Sequence, residues 1–104
     1  MGNYKTDSDE LATSDTKEDV KEPPMHKVLL HNDDYTSMEF VVEVLMHVFN
    51  KSIAEATGIM LNVHRRGAGL CGYYPYDVAE TKVETVHLLA RERGFPLKCS
   101  MEEE

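Results

Sequence analysis

Between residues 38 and 49 apolar side chains recur at Met38, Val41, Val42, Leu45, Val48 and Phe49, with Glu39, Glu43, His47 and Asn50 set among them. Steps of three and four residues place the first group on one side of a helix and the second in water. Thr36-Ser-Met-Glu39 opens this helix as a capping box, the Thr hydroxyl and the Glu carboxylate each covering an orphan backbone donor. Ser52-Ile-Ala-Glu55 is a second box. Its helix carries Ile53, Ala56, Met60 and Val63 inward, with His64 beside them, and ends near Gly67. A third helix begins at Asp77-Val-Ala-Glu80 and gathers Ala79, Val83, Val86 and Ala90 on one face, joined by Val78 and Leu89. Arg91 and Arg93 suit the negative end of its dipole, Gly94 suits its cap, and Pro96 prevents continuation.

Three short apolar stretches remain, His26–His31, Leu70–Tyr74 and Leu97–Met101, and they are expected to be strands. The order is then βααβαβ over residues 25–104. That predicts a small α+β sandwich, a three-stranded antiparallel sheet packed against three helices. Residues 1–24 differ in kind. They hold seven acids against three lysines, and Leu11, Val20 and the initiator Met1 are their only aliphatic residues larger than Ala. So little apolar surface cannot offset the entropy of ordering. A disordered acidic N-terminal arm, closed by Pro23-Pro24, is expected, followed by one core domain.

Composition narrows the function. A net charge of −8 and a pI near 5.0 argue against binding nucleic acid, which needs clustered Lys and Arg. No apolar run approaches the roughly 20 residues that span a bilayer, so no membrane association is expected. The opening MGNYKT does match the pattern M-G-x-x-x-[ST] of N-myristoylation, but an acidic arm would be repelled by an anionic surface. Cys71 and Cys99 sit in apolar strand patterns and are expected to be buried thiols rather than a disulfide, with no zinc partners.

The chemistry concentrates in His31-Asn-Asp-Asp-Tyr-Thr-Ser-Met-Glu-Phe40. Asn and Asp before a helix are most often turn formers. As ligands they could instead await a metal, a proton or an ammonium group. His31, Asp33, Asp34 and His64 would make a mixed metal set, yet Asp33 and Asp34 diverge and no H-x-x-x-H or C-x-x-C pair supports them. Neither a metal nor another cofactor is expected. Catalysis by Asp33 or Asp34 with His64 lacks a nucleophile elbow, a phosphate loop and an activated cysteine. The ammonium reading draws on convergence. If the first two helices pack as a hairpin, Met38, Met60, Val63 and His64 floor a hole rimmed by carboxylates. The first residue of a polypeptide, an apolar side chain beside a cation, has matching chemistry.

The runs KVLLHNDDYTSMEFV, MLNVHRRGAGLCG, VAETKVETV and PLKCSME, in that order, resemble the bacterial ClpS adaptor family across residues 25–104. The resemblance implies an adaptor and not an enzyme. Such an adaptor binds proteins with N-terminal Leu, Phe, Tyr or Trp (the N-degrons of the bacterial N-end rule). It hands them to the N-terminal domain of a ClpA-type Hsp100 unfoldase of the ClpAP protease. Carried over by motif, Asn32, Asp33 and His64 would hold the α-amino group, and Asp34 and Thr36 would shape the turn. Met38, Val41, Met60, Val63 and Leu97 would line the side-chain pocket, and Glu80 and Lys82 would meet the unfoldase. A monomer in the bacterial cytoplasm is implied. Three positions depart from the family: Ser37 stands where Pro is usual, His31 where an aliphatic residue is commoner, and Asp77 where Glu is frequent. The same βααβαβ order also resembles the C-terminal domain of the ribosomal stalk protein, which would make this an interaction module outside the N-end rule.

Overall fold

The computed structural model describes residues 23–104. The expected acidic arm, up to residue 22, and the Met1–Thr6 motif within it lie outside the described residues. The chain runs β1 (Met25–His31), α1 (Met38–His47), α2 (Ile53–Arg66), β2 (Ala68–Pro75), α3 (Tyr76–Arg93) and β3 (Lys98–Glu103), the βααβαβ order read from the sequence. The three strands form one antiparallel sheet in the order β2-β1-β3. The first strand is therefore the central one. Val28 faces Gly72 and Leu29 faces Leu70, so Cys71 is an extra residue on β2, a bulge that bends that edge.

One face of the sheet is buried. Val28 and Leu30 of β1, Cys71 of β2 and Cys99 of β3 are almost fully covered, with Ala56, Val63, Ala79, Val86 and Ala90 from the helices above them. Small residues on the helices let the backbones come close. Gly69 is the tight point between β2 and α2: a Cβ there would lie 2.7 Å from Val63 Cγ2 and 3.1 Å from the Ile59 carbonyl. The α2 helix can thus lie against β2 only because residue 69 has no side chain.

Two helix starts differ from the expected pattern: that of α1, and that of α3, which begins at Tyr76 after Pro75, with no side-chain cap, rather than at Asp77. Ser52 and Glu55 form their reciprocal capping box, and Gly67, at φ 91°, closes α2 in the left-handed conformation that glycine tolerates. Gly94 ends α3 in the same manner. At α1, however, the cap is Ser37, whose hydroxyl accepts from the Phe40 N–H at 3.1 Å, and not Thr36. The Thr36 hydroxyl is already committed to Asp33, 2.7 Å away.

The inward faces also shift. α1 buries Phe40 and Val44 besides Val41 and Leu45, because it packs on two sides at once; Phe40 meets Phe95 with ring centroids 5.0 Å apart. Ile53, expected inside, is 66% exposed, since the first turn of α2 overhangs the core. Val78, in the first turn of α3, is likewise exposed. Phe49 is buried after the end of α1, in the connection to α2.

Candidate functional site

The acidic turn has a defined shape, and Asp33 makes it. Asp33 Oδ1 accepts the N–H of Tyr35 at 2.8 Å and that of Thr36 at 2.7 Å, and Oδ2 accepts the Thr36 hydroxyl at 2.7 Å. Partial burial raises the carboxyl's pKa, but the Thr36 hydroxyl, the Thr36 N–H and the Tyr35 N–H together outweigh it and hold the group below its ordinary value. Asp33 is therefore a fixed anion at neutral pH. A carboxylate offers about four lone-pair directions, so with three occupied one remains open, on Oδ2.

The turn is also tied to α2. The Asn32 N–H donates to the Gly67 carbonyl at 2.9 Å, while His31 pairs with Ala68 in the sheet. These bonds bring the turn alongside the C-terminal part of the helix, where Val63 and His64 lie. Nothing in local sequence announces this bond, because Gly67 serves it with a carbonyl that any residue carries.

Between turn and helices lies a cleft of about 280 Å³, lined by Asn32, Asp33, Asp34, Thr36, Met38, Val41, Met60, Val63 and His64. Asn32, Asp34 and His64 are exposed at its mouth; Val41 and Val63 are buried walls, and Met38 is 44% exposed. The volume falls just under the roughly 300–1,000 Å³ typical of pockets for drug-sized ligands. It suits one side chain and a small polar group. Chemically it offers an anion and amide or imidazole acceptors above an apolar floor whose methionines adapt to aliphatic and aromatic shapes.

Leu97 is the most deeply set of the residues expected at the pocket after Val63. It is 4% exposed and packed in the core just before β3, behind the residues that form the surface of the cleft. His31 is drawn away: its Nε2 and the Ser100 hydroxyl oxygen are 2.6 Å apart, across to β3. Glu80 and Lys82 lie far along the fold on α3 and differ from one another. Glu80 is exposed and accepts from the Tyr76 hydroxyl at 3.3 Å. Lys82 is partly buried; its Nζ donates to the Val48 carbonyl at 2.7 Å and sits over the rings of Tyr74, at 5.2 Å, and Phe49, at 5.7 Å. It holds the end of α1 to α3, a structural duty that a helix-face pattern does not reveal.

Both thiols are free and buried. Burial pushes the Cys71 thiol far up, with the Cys99 thiol beside it adding to the effect, and burial pushes Cys99 up to about 12. Neither is a nucleophile at neutral pH. Among the described residues no cluster of three or more His, Cys, Asp or Glu could hold a metal ion, and no helix is long and apolar enough to cross a membrane.

The result is a small α+β domain with an acidic-rimmed cleft over an apolar floor, an architecture suited to recognition. The relatives make the class specific. Residues 21–100 match the family described as ATP-dependent Clp protease adaptor protein ClpS. The ATP-dependent Clp protease adapter protein ClpS of Desulfatibacillum aliphaticivorans is 68% identical over 85 residues, 82% of each chain. That of Oleidesulfovibrio alaskensis is 55% identical over 103 residues, 99% of each. Among solved structures, Agrobacterium tumefaciens ClpS2 bound to L-phenylalaninamide superposes with a TM-score of 0.77 at 41% identity, over 80% of this chain and all of that one. The chain belongs to the ClpS family of adaptors of the ATP-dependent Clp protease.

Proposed function

We propose that this adaptor binds polypeptides beginning with Leu, Phe, Tyr or Trp through their free α-amino group, and delivers them to a ClpA-type unfoldase in the bacterial cytoplasm. One observation carries the reading. The Asn32–Asp34 turn and His64 line the same cleft as Met38, Val41, Met60 and Val63, an apolar hollow sized for one side chain. L-Phenylalaninamide, the molecule bound to the ClpS2 relative, has the chemistry of a chain's first residue: a free amine, an apolar side chain and a capped carboxyl.

The energetics are adequate. An α-amine with a pKa of about 7.7–8.0 is mostly charged at neutral pH. Asn32, the open direction on Asp33 and His64 give it three acceptors, each worth about 1.5–3 kcal/mol when the donor is charged. Burying a Leu or Phe side chain adds about 1.5–3 kcal/mol. Association entropy removes part of this gain, which leaves affinities near micromolar. Asp34, exposed and outside the turn's hydrogen bonds, adds its charge to the rim.

For delivery, the exposed start of α3, with Asp77 and Glu80, would meet the unfoldase, and the acidic segment before residue 23 would be the part the motor pulls. Lys82 would contribute chiefly by holding α1 and α3 together. Fully extended at about 3.3 Å per residue, that segment reaches over 70 Å. The test is a reconstituted degradation assay with a Leu-initiated substrate and its Arg-initiated version. The adaptor should accelerate only the first. A variant lacking residues 1–20 should bind the Leu peptide as the parent does and fail to speed degradation. Equal acceleration of both substrates, or none, would refute the proposal.

A further inference from the structure

The helices cover the face of the sheet that carries Val28, Leu30, Cys71 and Cys99. Strand alternation puts Lys27, Leu29 and His31 of β1 on the opposite face. Register adds their partners, Tyr73, Leu70 and Ala68 from β2 and Glu102, Ser100 and Lys98 from β3. An antiparallel sheet that leaves one face in water usually makes that face polar. Here its middle is apolar: Leu70 and Tyr73, beside Leu29, are 39% and 45% exposed. The surrounding charges have an order. Lys98 lies opposite His31 at the end of β1, whereas Glu102 and Glu104 lie toward its start, the Glu104 N–H donating to the Met25 carbonyl at 3.0 Å. Lys27 stands opposite Glu102, yet neither they nor Lys98 join an ion pair among the described residues, where the one pair is Glu43 with Arg93.

The acidic segment is attached to this sheet. Met25 begins the central strand, and 22 residues precede Pro23. A strand as long as β1 spans about 24 Å, and the segment, extended, reaches over 70 Å. A chain turned back at Pro23-Pro24 therefore crosses the whole face with about a third of that length. Taken backward from the prolines, Lys21 falls toward Glu102 and Glu104, Val20 over the apolar patch, and Asp19, Glu18 and Asp15 toward Lys27 and Lys98. Glu22 and Lys17 are the exceptions to this match of opposite signs. Elsewhere the domain repels an acidic segment, since residues 23–104 hold twelve acids against eight Lys and Arg.

We propose that residues 15–21 dock on the open sheet face of their own chain, Val20 on Leu29, Leu70 and Tyr73, and Glu18 and Asp19 against Lys27 and Lys98. Exposed charge pairs hold it, so the docking is weak and gives way to salt or to a pull on the segment. This goes beyond the proposed function: it gives the acidic segment a resting place from which a motor has to take it.

A nitroxide attached through Ser14→Cys in the full chain tests it, with Cys71 and Cys99 buried away from the reagent. At 0.01 M salt, where charges act over about 30 Å, the label should at least halve the amide NMR signals of Leu70, Tyr73 and Lys98 relative to the reduced label. Signals of Glu43 and His47 should stay sharp. At 1 M, where the range is about 3 Å, the broadening should vanish. Glu18→Lys with Asp19→Lys, changes outside the folded domain, should abolish it at low salt, and adding Lys27→Glu with Lys98→Glu should restore it. No broadening in the parent, broadening spread over the helices, or broadening that survives the Glu18→Lys and Asp19→Lys reversal overturns the docking. So does broadening of an unlabelled isotope-enriched chain by added labelled chain, which would assign the face to a second copy. Peptide affinity reads the cleft separately, because Leu70, Tyr73 and Lys98 do not line it.

Discussion

Replacing Asp33 by Asn removes a charge and spares a turn, so it separates the two duties of this residue. In the folded protein Oδ1 accepts two backbone N–H groups, from Tyr35 and Thr36, and Oδ2 accepts the Thr36 hydroxyl. An asparagine keeps Oδ1 for both backbone donors. Its amide nitrogen then faces the Thr36 hydroxyl, which can rotate to accept instead. Asn forms such turns as readily as Asp. What disappears is the negative charge and the open acceptor direction. A charge-assisted hydrogen bond contributes about 1.5–3 kcal/mol and the amide nitrogen offers the ammonium no acceptor in its place, so affinity for a Phe-initiated peptide should drop by about 1.5–3 kcal/mol. That is about ten- to 150-fold in Kd. Asp33→Ala loses all three bonds and should cost stability as well, on the scale of a lost helix cap, about 0.5–2 kcal/mol. Anisotropy titration reads the first effect and urea unfolding the second. Asp33→Asn binding like the parent would show that the carboxylate only shapes the turn. A loss of stability equal to that of Asp33→Ala would show that the turn itself depends on charge.

Other perturbations probe the same frame. Gly69→Ala forces a methyl against Val63 Cγ2 and the Ile59 carbonyl, so overpacking should destabilise the fold by about 1–3 kcal/mol and weaken peptide binding through the displaced Val63 wall. The Asp33 carboxyl, depressed in the folded state, should titrate by NMR below its ordinary value of 3.8. Its bonds therefore contribute stability above the unfolded value, and that contribution is lost as pH falls through the folded one. Thr36→Val should move the midpoint upward. Cys71 and Cys99, buried with raised thiol pKa values, should resist a disulfide reagent at pH 8 in the native protein and react at once in urea.

The sequence made the elements legible where local chemistry decides them. The capping box at Ser52–Glu55, the glycines at 67 and 94 and the βααβαβ order needed only short-range rules. Side-chain duties set by distant partners were not legible. The α1 cap moves to Ser37 because Asp33 claims Thr36, a competition between two polar neighbours that a motif cannot rank. Phe40 was missed as core because a single apolar stripe implies one buried face, and α1 has Phe95 on a second. Leu97, just before β3, is buried in the core, a depth that residue type alone does not reveal. Lys82 looks like a solvated lysine on α3, and its carbonyl partner lies 34 residues earlier in the chain. For the cleft the pattern was more informative. The turn, Met38, Met60, Val63 and His64 come together, although the bond from Asn32 to Gly67 that aligns them has no signature in residue type.

The central claim is that the acidic rim of the cleft holds a chain's α-ammonium group. Isothermal titration of a Leu-initiated peptide against its N-acetylated twin tests it most directly, since only the amine differs near the rim. The free peptide should bind near micromolar. Acetylation removes the cation and crowds Asn32, Asp33 and His64, and should weaken binding by at least about 3 kcal/mol, more than a hundredfold. Equal affinity of the two peptides would contradict the assignment of the amine to this cleft.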